Sequence, residues 1–228
     1  MRLADATWPE IHPQTFGGAP PVLVLPVGAL EQHGPHLPLD TDAVTATAVA
    51  TAVAEARPRA ALAPTLPIGA SGEHADFPGT LSIGIEALRQ LIVEVVRSST
   101  PTFSAVMVVN GHGGNMEALR SAVELCTAEG RRLLPHHLGL PGMDAHAGRT
   151  ETSLMLHLSP ERVRLDRAQP GNTTPVRELL TEMRAHGVRG VSPNGVLGDP
   201  TGASATEGAD LFVRLRDRAI AAFDELTG

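Results

Sequence analysis

The stretch "PVLVLPVGALEQHGPHLPLDTD", Pro21 to Asp42, decides how the rest of the chain is read. Its first part, "VLVLPV" at 22–27, is apolar without alternation. That is the pattern of a strand buried on both faces, as in a parallel sheet covered by helices. Its second part brings one glutamate, two histidines and two aspartates into the fifteen residues from Gly28 to Asp42. Pro35 and Pro38 stiffen that loop. Asp42 then opens "DAVTATAVATAVAEAR", 42–57, which is apolar at helical spacing with an acid at its start.

Outward from this unit the same alternation repeats. Further strands are expected at 60–69, 103–110 and 131–138, and helices at 85–99, 116–130, 150–158, 175–186 and 207–226. Long Gly- and Pro-rich stretches at 69–84, 139–149 and 187–204 read as loops. Strands alternating with helices predict an α/β fold with a mainly parallel sheet. No linker or repeat divides the chain, so a single domain over 1–228 is expected.

Composition narrows the chemistry. The chain has 228 residues, 42% of them hydrophobic, and a net charge of −7 without a basic run, which argues against nucleic acid as a partner. All 18 basic residues are arginine, which excludes a Schiff-base lysine and a P-loop lysine. Tyrosine is absent, so no phenol can act as an acid. The single cysteine, Cys126, cannot form an intramolecular disulfide and reads as a buried structural thiol. No apolar run approaches the roughly 20 residues of a membrane span, and the first residues carry no apolar signal segment. A cytoplasmic protein with no membrane partner is expected. Chemistry, if present, must use His, Asp, Glu or a metal.

Four segments carry such groups. Glu31 and His33 are two apart, so an extended backbone aims both the same way, and Asp42 sits at the far end of their loop. A carboxylate–imidazole set suits Zn²⁺, Mn²⁺ or Fe²⁺, and Asp42 has two oxygens with which to bridge a pair. A polar loop with a helix cap is the plainer alternative. His112, in "VVNGHGGN", lies two residues past the third strand, and ligands in open α/β sheets gather at strand carboxyl ends. Both clusters therefore share one sheet edge. In "GMDAHAGRTETSLMLHLSP", His146 precedes Glu151 by five residues; alone, this segment reads as a capped helix start. Glu73, His74 and Asp76 in "GEHADFPGT" either contact substrate or are solvated, with His74 the stronger candidate for substrate. His36 is a candidate supporting residue. His12, His136, His137, His157 and His186 read as structural or exposed.

Taken in series, "EQHGPHLPLDTD", "GEHADFPGT", "VNGHGGN" and "HAGRTETSLML" resemble the creatininase family, over a span from about Pro21 to Leu211. The stretches "IGASGEHADFPGTLSIG", "DAHAGRTETS" and "GVLGDPTGASATEG" are most similar to its mycofactocin-system branch, a peptidase that trims a modified precursor peptide and releases its C-terminal dipeptide core. The resemblance implies a three-layer α/β/α sandwich in a cyclic homo-oligomer, a hexamer or similar. It implies two divalent ions per subunit, zinc first, with Fe²⁺ or Mn²⁺ as alternatives. Glu31, Asp42 and His112 would hold one ion, and His33, Asp42 and Glu151 the other, with Asp42 bridging. His146 matches a catalytic histidine. The amides of Gly113 and Gly114 are candidates for holding an oxyanion or a substrate carboxylate. One departure stands out: creatininases proper carry a glutamate where this chain has Gly114. The two tryptophans of the creatinine pocket also lack counterparts, the only tryptophan being Trp8. These departures argue against creatinine as substrate. A family amidohydrolase opening a small cyclic amide or formamide, and a non-enzymatic metal-binding module, remain as alternatives.

Overall fold

A computed structural model describes residues 1–227. Its centre is a fully parallel sheet in the order β2-β1-β3-β4. The strands are β1 (Val22–Val27), β2 (Ala60–Leu62), β3 (Ala105–Asn110) and β4 (Leu133–His137). Every residue of β1 and β3 is buried, the apolar runs and the terminal Asn110 alike.

Alternate side chains along each strand face opposite layers. Val22 and Val24 pack with Met107 and Val109 against α1 (Thr41–Ala56), α4 (Arg149–Leu158) and α6 (Ala205–Thr227). Leu23, Leu25 and Val27 pack with Val106 and Val108 against α2 (Ile85–Ser99) and α3 (Met116–Ala128). The result is the expected α/β/α sandwich. Cys126 lies in the second layer as a buried free thiol. Burial of each such Leu, Val or Phe side chain contributes roughly 1.5–3 kcal/mol.

Two boundaries differ from the sequence reading. Strand β2 stops at Leu62 rather than running to 69. Pro64 and Pro67 have no N–H to offer a ladder; beyond Leu62, Ala63 N donates to the Val24 carbonyl and Leu66 bridges Val27. The region read as a loop from 187 begins inside a helix. Helix α5 runs Val176–Val191 and passes through a kink at Gly187, with φ 65° and ψ −178°. A glycine at left-handed φ normally ends a helix, but here helical turns resume and bury Val188.

Register decides where the chemistry lies. Val27 pairs with Asn110, and Asn110 with His137, so β1, β3 and β4 end side by side. The Glu31 loop, the His112 turn and His137 emerge on that one edge. Helix α1 starts against it at very short range: a Cβ on Gly28 would overlap the Ala43 backbone, and one on Gly111 would overlap the Asp42 carbonyl. These two glycines bring Asp42 down onto the strand ends.

Candidate metal centre

Three sets of side chains converge closely enough to hold an ion. They are Glu31–Asp42–His112, His33–Asp42–Glu151 and Glu31–His33–His146, with the ligand atoms of each set within 4.8 Å of one another. His33 Nε2 lies 3.1 Å from Asp42 Oδ1 and 3.9 Å from Glu151 Oε2. His112 Nδ1 lies 3.2 Å from Glu31 Oε1 and 3.3 Å from Asp42 Oδ2. Asp42 thus presents one oxygen to each histidine.

The second nitrogen of each ring is committed elsewhere. His33 Nδ1 lies 3.1 Å from the Glu31 carbonyl, and His112 Nε2 lies 3.2 Å from the Ala70 carbonyl. A carbonyl only accepts, so these nitrogens carry the protons. His33 Nε2 and His112 Nδ1 are then the nitrogens turned toward the carboxylates, and on loss of the proton held there each would present its lone pair to an ion.

Glu31 is fully buried, yet Glu31 Oε1 and Oε2 and Asp42 Oδ2 have no hydrogen-bond partner. Around Glu31 Oε1 stand His112 Nδ1 at 3.2 Å, His74 Nε2 at 3.3 Å and His146 Nδ1 at 3.7 Å, none with hydrogen-bond geometry. Buried, unpaired carboxylate oxygens are costly unless a cation compensates them. This donor set fits divalent ions.

The charges of the cluster respond to one another. Burial opposes a charge on His33, but Asp42, Glu151 and Glu31 around it push its pKa up to about 10. Burial likewise opposes a charge on His112, and Glu31, Asp42 and Glu73 raise it well above the usual imidazole value. Burial would raise Asp42, but His33 and His112 hold it below the usual carboxylate range. Glu151 is pushed up to about 7 by burial and by Asp42, against the pull of His33. Protons on the histidines balance the carboxylates in the free chain, and ions would displace them.

The family model described as "Creatininase: Creatinine amidohydrolase" matches residues 4–223. The chain belongs to the creatininase family. It is a hydrolase of that family. It is 51% identical over 208 residues to the "Mycofactocin precursor peptide peptidase" of Mycobacterium ulcerans, covering 88% of this chain and 83% of that protein. Among solved structures it superposes on a mutant creatininase of Zn–Zn type with a TM-score of 0.80 and 27% identity, covering 98% and 97% of the two chains. It superposes on a structure described as "Creatininase Mn" with a TM-score of 0.77 and 27% identity, covering 96% and 95%.

The creatininase-family centre opens into a cavity of about 230 Å³ lined by Asp42, His112, Gly113, His137, His146 and Glu151, among others. His146 lies on this wall, and its protonation follows from its neighbours. Its Nε2 is 2.7 Å from the Gln32 carbonyl and so donates there. Nδ1 is left as the lone-pair nitrogen. Burial first, and then His33 and His74, hold its pKa well below the usual value. Glu151 is anchored from the same segment: the N–H of Ala147, held at the unusual φ of 52°, donates 2.6 Å to Glu151 Oε2.

The remaining candidates are placed differently. His74 is only 3% exposed, stands behind Glu31 and does not line the cavity. Its Nε2 lies 3.3 Å from Glu31 Oε1. Gly113 lines the cavity. Gly114 does not; it lies against Glu73 and His112, and a Cβ there would collide with both. A side chain at that position would force Glu73, His112 or the Ala70 carbonyl to shift. Asp40 pairs with Arg162 at 2.6 Å. His36 is buried and bonds Thr152 Oγ1 through Nε2 at 2.8 Å, bracing the start of α4 from the metal loop.

Gln32 carries more than the sequence indicated. Its Oε1 accepts from Gly34 N at 2.8 Å, so its amide hydrogens point the other way. His146 Nε2 is already a donor, so the two hydrogens go to His74 Nδ1 at 2.9 Å and the Gly195 carbonyl at 3.0 Å. The 192–198 loop joins from behind, with His146 and Leu197 exchanging backbone hydrogen bonds of 3.2 and 2.8 Å. His137, read as structural or exposed, is exposed on the cavity wall, its Nδ1 3.1 Å from Asn110 Nδ2. An uncharged amide flanked by two stronger candidates, and a histidine inside a strand, gave no local signal.

Proposed function

We propose that this chain is a dinuclear metal-dependent hydrolase that cleaves a peptide bond in a modified precursor peptide and releases the peptide's C-terminal dipeptide core. The unpaired oxygens of Glu31 and Asp42, gathered around His112 Nδ1, carry the metal part of this reading. Glu31, Asp42 and His112 would hold one ion; His33, Asp42 and Glu151 would hold the other. The mixed N/O donor set suits zinc, with Fe²⁺ or Mn²⁺ as alternatives. Bound divalent ions supply Lewis acidity, acidifying water and polarising a carbonyl.

The chain's own groups supply the rest. His146 keeps its Nε2 proton on the Gln32 carbonyl and offers Nδ1 to take up a proton and pass it to the leaving amine. The Gly113 amide opens the turn before α3, where a helix N-terminus favours negative charge on a substrate oxygen. Two observations favour a peptide over creatinine. Trp8 is 87% exposed at the chain's start, so no tryptophan walls the cavity. Met143, Asp144 and Ala145 are shared between the metal cavity and an outer cavity of about 760 Å³, room for an extended substrate. The 51%-identical relatives named as mycofactocin precursor peptide peptidases support the same class.

A homo-oligomer, a hexamer or similar, is part of this reading, as is a cytoplasmic setting. Among the described residues no helix is long and apolar enough to cross a membrane. Light scattering on the purified protein tests the first. The decisive experiment incubates metal-loaded protein with the matured precursor peptide and follows it by mass spectrometry. Release of the C-terminal fragment is expected; an intact peptide, with turnover of a cyclic amide or formamide instead, would overturn the assignment.

A further inference from the structure

Outside the three ligand sets, one more carboxylate reaches the centre. Glu73 sits in a short 3-10 turn, Gly72–His74, with its Oε1 3.4 Å from His112 Nε2. That nitrogen points away from Glu31 and Asp42, toward the Ala70 carbonyl and Glu73. The loop that brings them is held on two sides. Asn115 Oδ1 accepts from Ala70 N at 2.8 Å, while its amide donates 3.0 Å to the Gly28 carbonyl. Gly187, at the kink of α5, lies against the Glu73 carbonyl, where a Cβ would come within 3.0 Å. Gly114 completes the arrangement: a Cβ there would overlap Glu73 Oε1, His112 Nε2 and the Ala70 carbonyl together.

We propose that Glu73 is a positioning residue for the metal centre: with the Ala70 carbonyl it receives the Nε2–H of His112, fixes the ring with Nδ1 toward Glu31 and Asp42, and needs a side-chain-free Gly114 to do so. This rests on His112 being a ligand, as assigned above. A carboxylate on the far nitrogen of a ligating imidazole locks its tautomer, restricts its rotation and raises its basicity. Glu73 is 29% exposed, so its replacement leaves the core intact.

The test titrates metal-free protein with Co²⁺, followed by its visible absorption, and with Zn²⁺ in competition with a chromophoric chelator. Wild type is compared with Glu73→Gln, Glu73→Ala and Gly114→Ala, with circular dichroism as the folding control. Loss of such a partner typically weakens metal binding about 10–100-fold. Glu73→Ala is expected to weaken one of two ions by that factor and to shift its Co²⁺ bands. Glu73→Gln retains an acceptor oxygen and is expected to recover most of the affinity. Gly114→Ala is expected to reproduce the Glu73→Ala spectrum by displacing the carboxylate. Wild-type affinities and bands in a folded Glu73→Ala protein would overturn the proposal alone. A wild-type protein that binds no ion would overturn both this proposal and the metal-dependent function.

Discussion

His33 Nε2 stands 3.1 Å from Asp42 Oδ1, which leaves Oδ2 of the same carboxylate to face His112 Nδ1 at 3.3 Å. One side chain at the first turn of α1 therefore belongs to both halves of the centre. The eight residues between His33 and Asp42, stiffened by two prolines, hold this geometry.

Replacing Asp42 should consequently empty both halves. In Asp42→Ala, metal content by elemental analysis is expected to fall from the two ions proposed above to near none, and turnover with it by at least about 10³-fold, the scale of losing the Lewis acidity such ions would supply. An Asp42→Ala protein with full metal content and rate would refute the shared-carboxylate arrangement.

His146 should separate from the ligands. Its Nε2 is bound to the Gln32 carbonyl, its Nδ1 lies 3.7 Å from Glu31 Oε1, and the residue lines the cavity. His146→Gln is expected to slow turnover by about 10²–10⁴-fold, the usual worth of a proton-transfer group, with both ions retained. Loss of an ion on substitution would instead make His146 a ligand of the Glu31–His33–His146 set.

Gly28 should be intolerant of any side chain. A Cβ there overlaps the Ala43 backbone, which cannot move without lifting α1 off the strand ends. Overpacking of this kind costs about 1–3 kcal/mol. At roughly 2–4 °C per kcal/mol for a domain this size, Gly28→Ala should lower the thermal midpoint by several degrees. It should also weaken metal binding, because Asp42 rides on the same helix. An unchanged midpoint would mean that α1 does not seat as described.

His36 gives the metal-free chain a pH dependence. Burial first, and then the charge of His33, depress its pKa from 6.5 to about 4. Between those values the unfolded chain binds a proton that the folded chain refuses, so stability rises with pH across that window. The contribution is complete above pH 6.5 and is lost as pH falls toward 4. Thermal unfolding from pH 7.5 to 4.5 should show a steeper decline for wild type than for His36→Gln. Parallel profiles would place the pH dependence on other groups.

What the sequence determined by itself was the layer architecture and half of the centre. The apolar runs at 22–27 and 105–109 read as strands buried on both faces, and helical segments between them point to a parallel sheet. Strand carboxyl ends then place the Glu31–Asp42 loop and the His112 turn on one edge. Only the tertiary structure decided the rest. The Gln32 amide serves His74 and Gly195, 42 and 163 residues away, and receives no signal from its own neighbours in the chain. Glu73 reads as either a substrate contact or a solvated loop acid until the loop is folded onto His112. Gly114 reads as a candidate substrate-binding amide, and only the fold shows that Glu73 and His112 stand where its Cβ would be. The reason is physical: apolar periodicity is a local property that survives in the linear text. The direction of a hydrogen bond and the room for one methyl group exist only where distant segments meet.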